Sequence, residues 1–252
     1  MKKFTILAII LSASMLFACS VPDAAGDDFG AGQSDDAQKT EDKSGDSAPE
    51  KEKVDYILHD ATTTLTVTEY GSSYVYAIAE VENTGNADLY LSDAGFDLED
   101  SNGKLLAQYS VVSVSPSIIH PGEKAYIYGY DVVDDTSITY VAVPTIKAAK
   151  SKIECVRLPI SDDSISEDTF GTVEIVGRVE NTTDESQSLV KVSAIFFDAN
   201  GKAIAGSYTY PDEIQPGKKQ TFSIGTMDVT IDMPLSSIGH YELFAEPFSI
   251  QW

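Results

Sequence analysis

The chain repeats itself, so whatever one copy folds into the other must fold into as well. A displacement of 98 residues lays Val81-Glu82-Asn83-Thr84 on Val179-Glu180-Asn181-Thr182, and Asp100-Ser101-Asn102-Gly103-Lys104 on Asp198-Ala199-Asn200-Gly201-Lys202, with no gap between the blocks. Glu69 and Glu167, Val75 and Val173, Leu91 and Leu189, and Ala107 and Ala205 share that register. After a shortening of three, Pro121-Gly122-Glu123-Lys124 meets Pro216-Gly217-Lys218-Lys219, and near the end Ala142-Val143-Pro144 meets Ala245-Glu246-Pro247. Solenoid units run to about 20 to 50 residues, so a period this long marks a duplicated domain. The expected copies occupy residues 54–148 and 149–252.

Each copy has the pattern of an all-β domain. Val173, Ile175, Gly177 and Val179 alternate with Thr172, Glu174, Val176 and Arg178, the period of two that a half-buried strand requires. Val192, Ala194 and Phe196 alternate with Lys191, Ser193, Ile195 and Phe197, leading into Asp198-Ala199-Asn200-Gly201, whose Asn-Gly pair signals a tight turn. Pro216-Gly217 marks another turn before a strand containing Phe222 and Ile224. Short strands with turns at this spacing predict two tandem immunoglobulin-like β-sandwich domains, although no paired Cys and central Trp place them with antibody domains.

In the second copy, Val176-Gly177-Arg178-Val179-Glu180-Asn181, Ala194-Ile195-Phe196-Phe197-Asp198, Asn200-Gly201 and Ile214-Gln215-Pro216-Gly217 resemble the FxLYD-type domain. The resemblance covers about residues 170 to 225; the first copy carries Phe96-Asp97-Leu98-Glu99-Asp100 in the motif's place. It implies a small immunoglobulin-like module of secreted and lipid-anchored bacterial proteins, with no catalytic residues to carry over.

The amino terminus predicts where the protein sits. Lys2 and Lys3 precede an apolar stretch from Phe4 to Phe17, too short to span a bilayer comfortably and suited to a secretory signal at residues 1–18. It ends Leu16-Phe17-Ala18-Cys19, which resembles the lipobox of bacterial lipoproteins, with Phe17 where a small or hydroxyl residue is usual. Cys19 is thus the expected lipidation site, holding the protein to the outside of the cell membrane through at least two acyl chains, palmitate among them. Residues 20–53 carry ten Asp or Glu, four Lys and almost no large apolar side chain. Such a segment cannot bury enough surface to offset chain entropy, so a disordered tether is expected.

Charge and motifs exclude several functions. The net charge is −23, of which residues 54–252 hold −19, so the folded part repels phosphate and no nucleic-acid partner is expected. Ser101-Asn102-Gly103-Lys104 fits a Ser-x-x-Lys pattern, but it lies in a turn, and the second copy replaces the Ser with Ala199. Asp198, Asn200 and Gly201 open like a calcium loop without the Glu that closes one, and turn chemistry accounts for them. Asp131, Asp134 and Asp135 are assigned to a solvated acidic loop rather than a divalent-ion site, and Cys155 to a core strand. No catalytic residue, metal or cofactor is expected. The predicted function is a non-catalytic binding or accessory module of the cell envelope, with an envelope protein or a glycan as partner. An enzyme without a local motif and a structural spacer are the alternatives.

One feature separates the copies. Val75, Ala77, Ala79 and Val81 match the inward set Val173 to Val179, which turns Tyr74 and Tyr76 outward where the second copy has Thr172 and Glu174. Ile127 and Gly129 match Phe222 and Ile224, turning Tyr126, Tyr128 and Tyr130 outward opposite Thr221, Ser223 and Gly225. With both strands neighbours in one sheet, the five tyrosines form the expected ligand-binding face, because Tyr offers rigid amphipathic area at low entropy cost. Packing of this face on the second domain or the tether is the competing expectation.

Overall fold

The computed structural model of the chain describes residues 52–68, 71–109, 111–169, 171–225 and 233–247. The signal segment, Cys19 and the tether as far as residue 51 lie outside the described residues. The described part is all-β, and every strand pairing in it is antiparallel. Its helical content is one 3-10 turn at Leu235–Ser237, so no described helix can cross a membrane.

The first copy builds two sheets. One joins β1 (Tyr56–Leu58), β3 (Ser73–Asn83), β8 (Lys124–Val132) and β6 (Val111–Ser115) in that order, with β2 (Thr62–Val67) also on β3. The other joins β5 (Leu105–Gln108), β4 (Leu89–Glu99) and β7 (Ile118–Ile119), with β9 (Val141–Lys150) along β4. The second copy has β10 (Ile160–Glu167), β11 (Val173–Glu180) and β14 (Lys219–Gly225) in one sheet. Its other sheet is β13 (Ala203–Thr209), β12 (Val190–Phe197) and β15 (His240–Pro247). The six strands of the second copy thus repeat β2, β3, β4, β5, β8 and β9 of the first; Ile160 opposite Val179 also takes the place of Leu58 opposite Val81 in β1, and the single bridge Gln187–Ile214 that of Leu89–Ile119 in β7, so among the described residues β6 is the strand the first copy adds.

The repeat is written in hydrogen bonds. The Asn83 amide donates to the carbonyls of Ala87 at 2.9 Å and Ile119 at 3.1 Å, and the Asn181 amide to those of Glu185 at 2.7 Å and Ile214 at 2.8 Å. Both amides plug the crossing between two sheets, where an unpaired carbonyl would be costly. In the Asp100 turn, a carboxylate oxygen takes the N–H groups of Asn102 and Lys104; in the Asp198 turn it takes those of Asn200 and Lys202. Gly103 and Gly201 adopt φ of 77° and 78° there, a region open to glycine. These bonds account for the Ser-x-x-Lys and calcium-like patterns as turns.

Two sequence matches fail in the register. Ala142 lies opposite Leu98, whereas Ala245 lies opposite Val192, so their shared Ala-x-Pro is a coincidence of composition. Glu167 pairs with Val173 and Leu65 with Val75, so Glu167 takes the place of Leu65 rather than of Glu69; the first hairpin of the second copy is shorter. Strand β9 also runs two residues past the expected boundary at 148. Lys53 is already part of the fold, its N–H donating to the Asn86 side-chain Oδ1 and its carbonyl accepting the Asn86 N–H.

Residues 49–252 cluster as one compact unit, and the alternation along β3 explains why. Val75, Ala77, Ala79 and Val81 join a core with Leu89, Leu91, Phe96 and Leu98 of β4. Tyr76 and Ile78, between them, join a second core made chiefly by the second copy. The four sheets are therefore stacked, and both faces of the β3/β8 sheet are covered. Strand β12 is the matching layer, buried at all eight positions. Its Ser193 and Phe197 meet the first copy, so Val192, Ala194 and Phe196 face β11 and β14.

Candidate functional site

The five tyrosines share one face, as expected, but that face is an internal junction. Tyr76, Tyr126 and Tyr128 are each no more than 3% exposed, packed with Ile195 and Phe197 of β12. Tyr74 and Tyr130 remain partly exposed at its end, their rings edge to face at 5.9 Å. The assignment of an exposed ligand-binding face is thus corrected: the competing expectation, packing on the second copy, is the one the fold takes. The physical reason lies in β12, where Ile195 and Phe197 need apolar cover of their own.

The contacts across this junction are specific. Strand β13 is a sheet edge, and the outward N–H and C=O of Gly206 both bond to the Tyr76 hydroxyl at 2.8 Å. A phenol from the other copy thus satisfies two edge groups that would otherwise be open to strand pairing. A Cβ at Gly206 would stand 2.7 Å from the Tyr128 ring, so only glycine allows this approach. The Tyr128 hydroxyl meets Ser115 Oγ at 3.1 Å, which in turn meets Ser193 Oγ at 2.8 Å. Burial holds the Tyr76 phenol protonated far above its ordinary range and pushes the Tyr128 phenol up to about 12.

At one end the junction opens into a cleft of about 580 Å3. The β12/β13/β15 sheet supplies Lys191, Tyr208 and Glu246 on one side, with Tyr210 just past the end of β13; Ser113 and Tyr90 of the first copy stand on the other. Tyr208 and Tyr210 are 40% and 46% exposed, with rings edge to face at 5.6 Å, so among the described residues this pair, more than the five-residue face, presents aromatic surface to solvent. Lys191 is 9% exposed. Its Nζ donates to Ser113 Oγ at 3.0 Å and to the Val114 carbonyl at 2.9 Å, and lies 4.8 Å from the centre of the Tyr208 ring. Desolvation lowers its pKa to about 8, with the nearby Glu246 charge acting in the opposite direction.

Glu246 faces Lys191 across the β12/β15 pair but is turned to other donors. Its carboxylate takes the Ser117 N–H at 3.0 Å and the Ser117 hydroxyl at 3.1 Å, and pairs with Arg157 at 3.4 Å. Arg157 also donates to the Ile118 carbonyl. No described carboxylate forms an ion pair with Lys191. Sequence reasoning passed over Lys191, Tyr208, Tyr210 and Glu246. The available signal was in β12, where Lys191 shares a face with Ile195 and Phe197, an arrangement expected only where that face is covered.

The remaining expectations fall elsewhere. Cys155 lies in the connection before β10 rather than in a core strand, with its Sγ 3.7 Å from the Ile118 carbonyl and its pKa raised by burial. The Asp135 carboxylate takes the N–H and hydroxyl of Ser137, a local turn bond. Among the described residues one group, His59 with Glu80 and Glu82, brings three potential ligand atoms together. Glu80 there is already paired with Lys124 at 2.8 Å. No protein-family model matches the chain, and no curated protein is significantly similar to it in sequence.

Proposed function

We propose that the protein is an extracytoplasmic lipoprotein of a bacterial envelope, anchored through Cys19, that binds its partner non-catalytically in the cleft beside Lys191. In this reading the two halves are tandem immunoglobulin-like sandwiches of the FxLYD type, docked to build one site between them. The pairing of β2-β3-β8 and of β10-β11-β14 into corresponding sheets supports that assignment of the halves. The observation that carries the binding reading is the exposed Tyr208–Tyr210 pair, whose Tyr208 ring lies over a buried ammonium. Central aromatic residues commonly contribute about 2 kcal/mol or more to recognition.

Two measurements test it. Cys19→Ser is expected to release the protein from the membrane fraction; equal retention of the mutant overturns the anchor. Binding of the full chain to purified envelope glycan and to solubilised envelope proteins is expected to fall by at least about tenfold in Tyr208→Ser/Tyr210→Ser. Undiminished binding by that variant, or no binding by the wild type, overturns the cleft as the site.

A second reading, an envelope hydrolase, is favoured by the 3.0 Å contact between Lys191 Nζ and Ser113 Oγ. A neutral amine there can take the serine proton. The Ser117 N–H, a nearby donor for an oxyanion, is committed to Glu246, which weakens this reading. Covalent labelling of Ser113 by a fluorophosphonate decides between the two: labelling selects the hydrolase, and none selects binding.

A further inference from the structure

Resting on that binding reading, we infer that the cleft takes a carboxylate carried on a ring, with the carboxylate against Lys191 Nζ and the ring against Tyr208 and Tyr210. The argument begins with a charge imbalance. An ammonium removed from water is stable only when paired or fully hydrogen-bonded. Lys191 has three donors; two go to neutral acceptors, Ser113 Oγ and the Val114 carbonyl, and no described carboxylate pairs with it. Beyond these the ammonium meets only ring faces, with Nζ 4.8 Å from the centre of the Tyr208 ring and 5.8 Å from that of Tyr128, so its net charge is left without a described counter-ion in the cleft that Lys191 lines.

The carboxylate that might have filled this role is engaged elsewhere. Glu246 lies directly across from Lys191 in the strand register, yet its oxygens are taken by Ser117 and Arg157. The cleft therefore has a spent anion and an unspent cation, which selects an anionic ligand over a cationic one. The acidic net charge of the chain opposes that ligand at long range, so affinity must come from contact. Tyr208 and Tyr210, edge to face and partly exposed, offer the flat apolar area for such contact. Ser113 on the opposite wall adds a hydroxyl within reach of a polar ring substituent.

A ring carboxylate can come from an aromatic acid or from a sugar acid, and two probe pairs separate the sources. The full-length chain is titrated calorimetrically with 4-hydroxyphenylacetate against 4-hydroxyphenylacetamide, and with glucuronate against methyl glucoside. The expected result is that one acid binds at least tenfold more tightly than its neutral counterpart, and that Lys191→Met loses at least tenfold in affinity for it. Binding of the wild type is also expected to weaken as pH rises through about 8, where Lys191 gives up its proton. Tyr128 of β8, Tyr208 of β13 and Glu246 of β15, with Arg157 behind it, are the titratable groups nearest Lys191, and Tyr90 of β4 and Tyr210 line the same cleft. That pH series uses no variant, so it stands even where Lys191→Met fails to fold. Equal binding of acid and neutral probes, no binding of either acid, or a pH-independent affinity overturns the ligand class. Envelope binding that persists in that case, and is still lost in Tyr208→Ser/Tyr210→Ser, leaves the cleft as a binding site and removes only its anionic ligand.

Discussion

The outer face of the β3/β8 sheet and that of the β11/β14 sheet occupy equivalent places in the two copies and have opposite fates. Along β11, buried and exposed residues alternate, with Glu174, Val176 and Arg178 in solvent. Along β3 from Val75 to Ala79 every residue is buried, because Tyr76 and Ile78 meet the second copy. The inward residues are alike in both, so the difference lies wholly in what covers the other side. Each copy brings two antiparallel sheets, and tyrosines on one outer face turned a surface into the middle of a stack. The cleft beside Lys191 is a consequence of that docking, since its walls come from both copies.

The largest test of this contrast is to strip two buried tyrosines from the outer face of the first copy. Tyr76→Thr with Tyr128→Ser is expected to cost at least about 4 kcal/mol, because two buried aromatic side chains and their hydroxyl partners are lost. Thr221→Tyr, on the exposed face of the second copy, is expected to change stability by no more than about 0.5 kcal/mol. Urea unfolding of both variants measures the contrast, and a small loss in the double variant would break it.

A second test uses the charge at the junction. Between about pH 8 and the ordinary lysine value of 10.5, the unfolded chain holds the Lys191 proton and the folded protein does not. Stability contributed by this group therefore rises with pH across that window, by up to about 3 kcal/mol. Above about pH 10 the buried phenols of Tyr76, Tyr126 and Tyr128, kept protonated by desolvation, act in the opposite sense. The difference in unfolding free energy between wild type and Lys191→Met isolates the lysine contribution, and a difference independent of pH counts against its burial.

A smaller effect sharpens what the copies share. Asn83→Ala and Asn181→Ala each remove an amide that donates to two carbonyls and are each expected to cost about 2 kcal/mol. Losses that differ by more than about 1 kcal/mol would show that the two plugs are equivalent in geometry alone.

Much of this was legible before any coordinates. The alternation of Val173 to Val179, the turns at Asp100 and Asp198 and the displacement of 98 residues through the matched asparagines are all where the sequence puts them. The outward direction of Tyr76 and Tyr128, relative to the first core, was also legible, because side-chain direction along a strand follows from counting by two. Exposure was not. A tyrosine on a covered face and one on a free face obey the same period, and Lys191 gave no local sign that Ser113 and Val114, nearly eighty positions earlier, would receive its ammonium.

The sequence by itself determined the β class, the duplication, the turns and which residues line each copy's own core, since these depend on neighbours within a strand or a hairpin. The tertiary structure alone decided that the tyrosine face is internal, that Gly206 receives the Tyr76 hydroxyl, and that Lys191, Tyr208 and Glu246 meet in one cleft. Those outcomes arise from packing one sheet on another. Packing is governed by the fit of two whole surfaces, which no short-range pattern along the chain encodes.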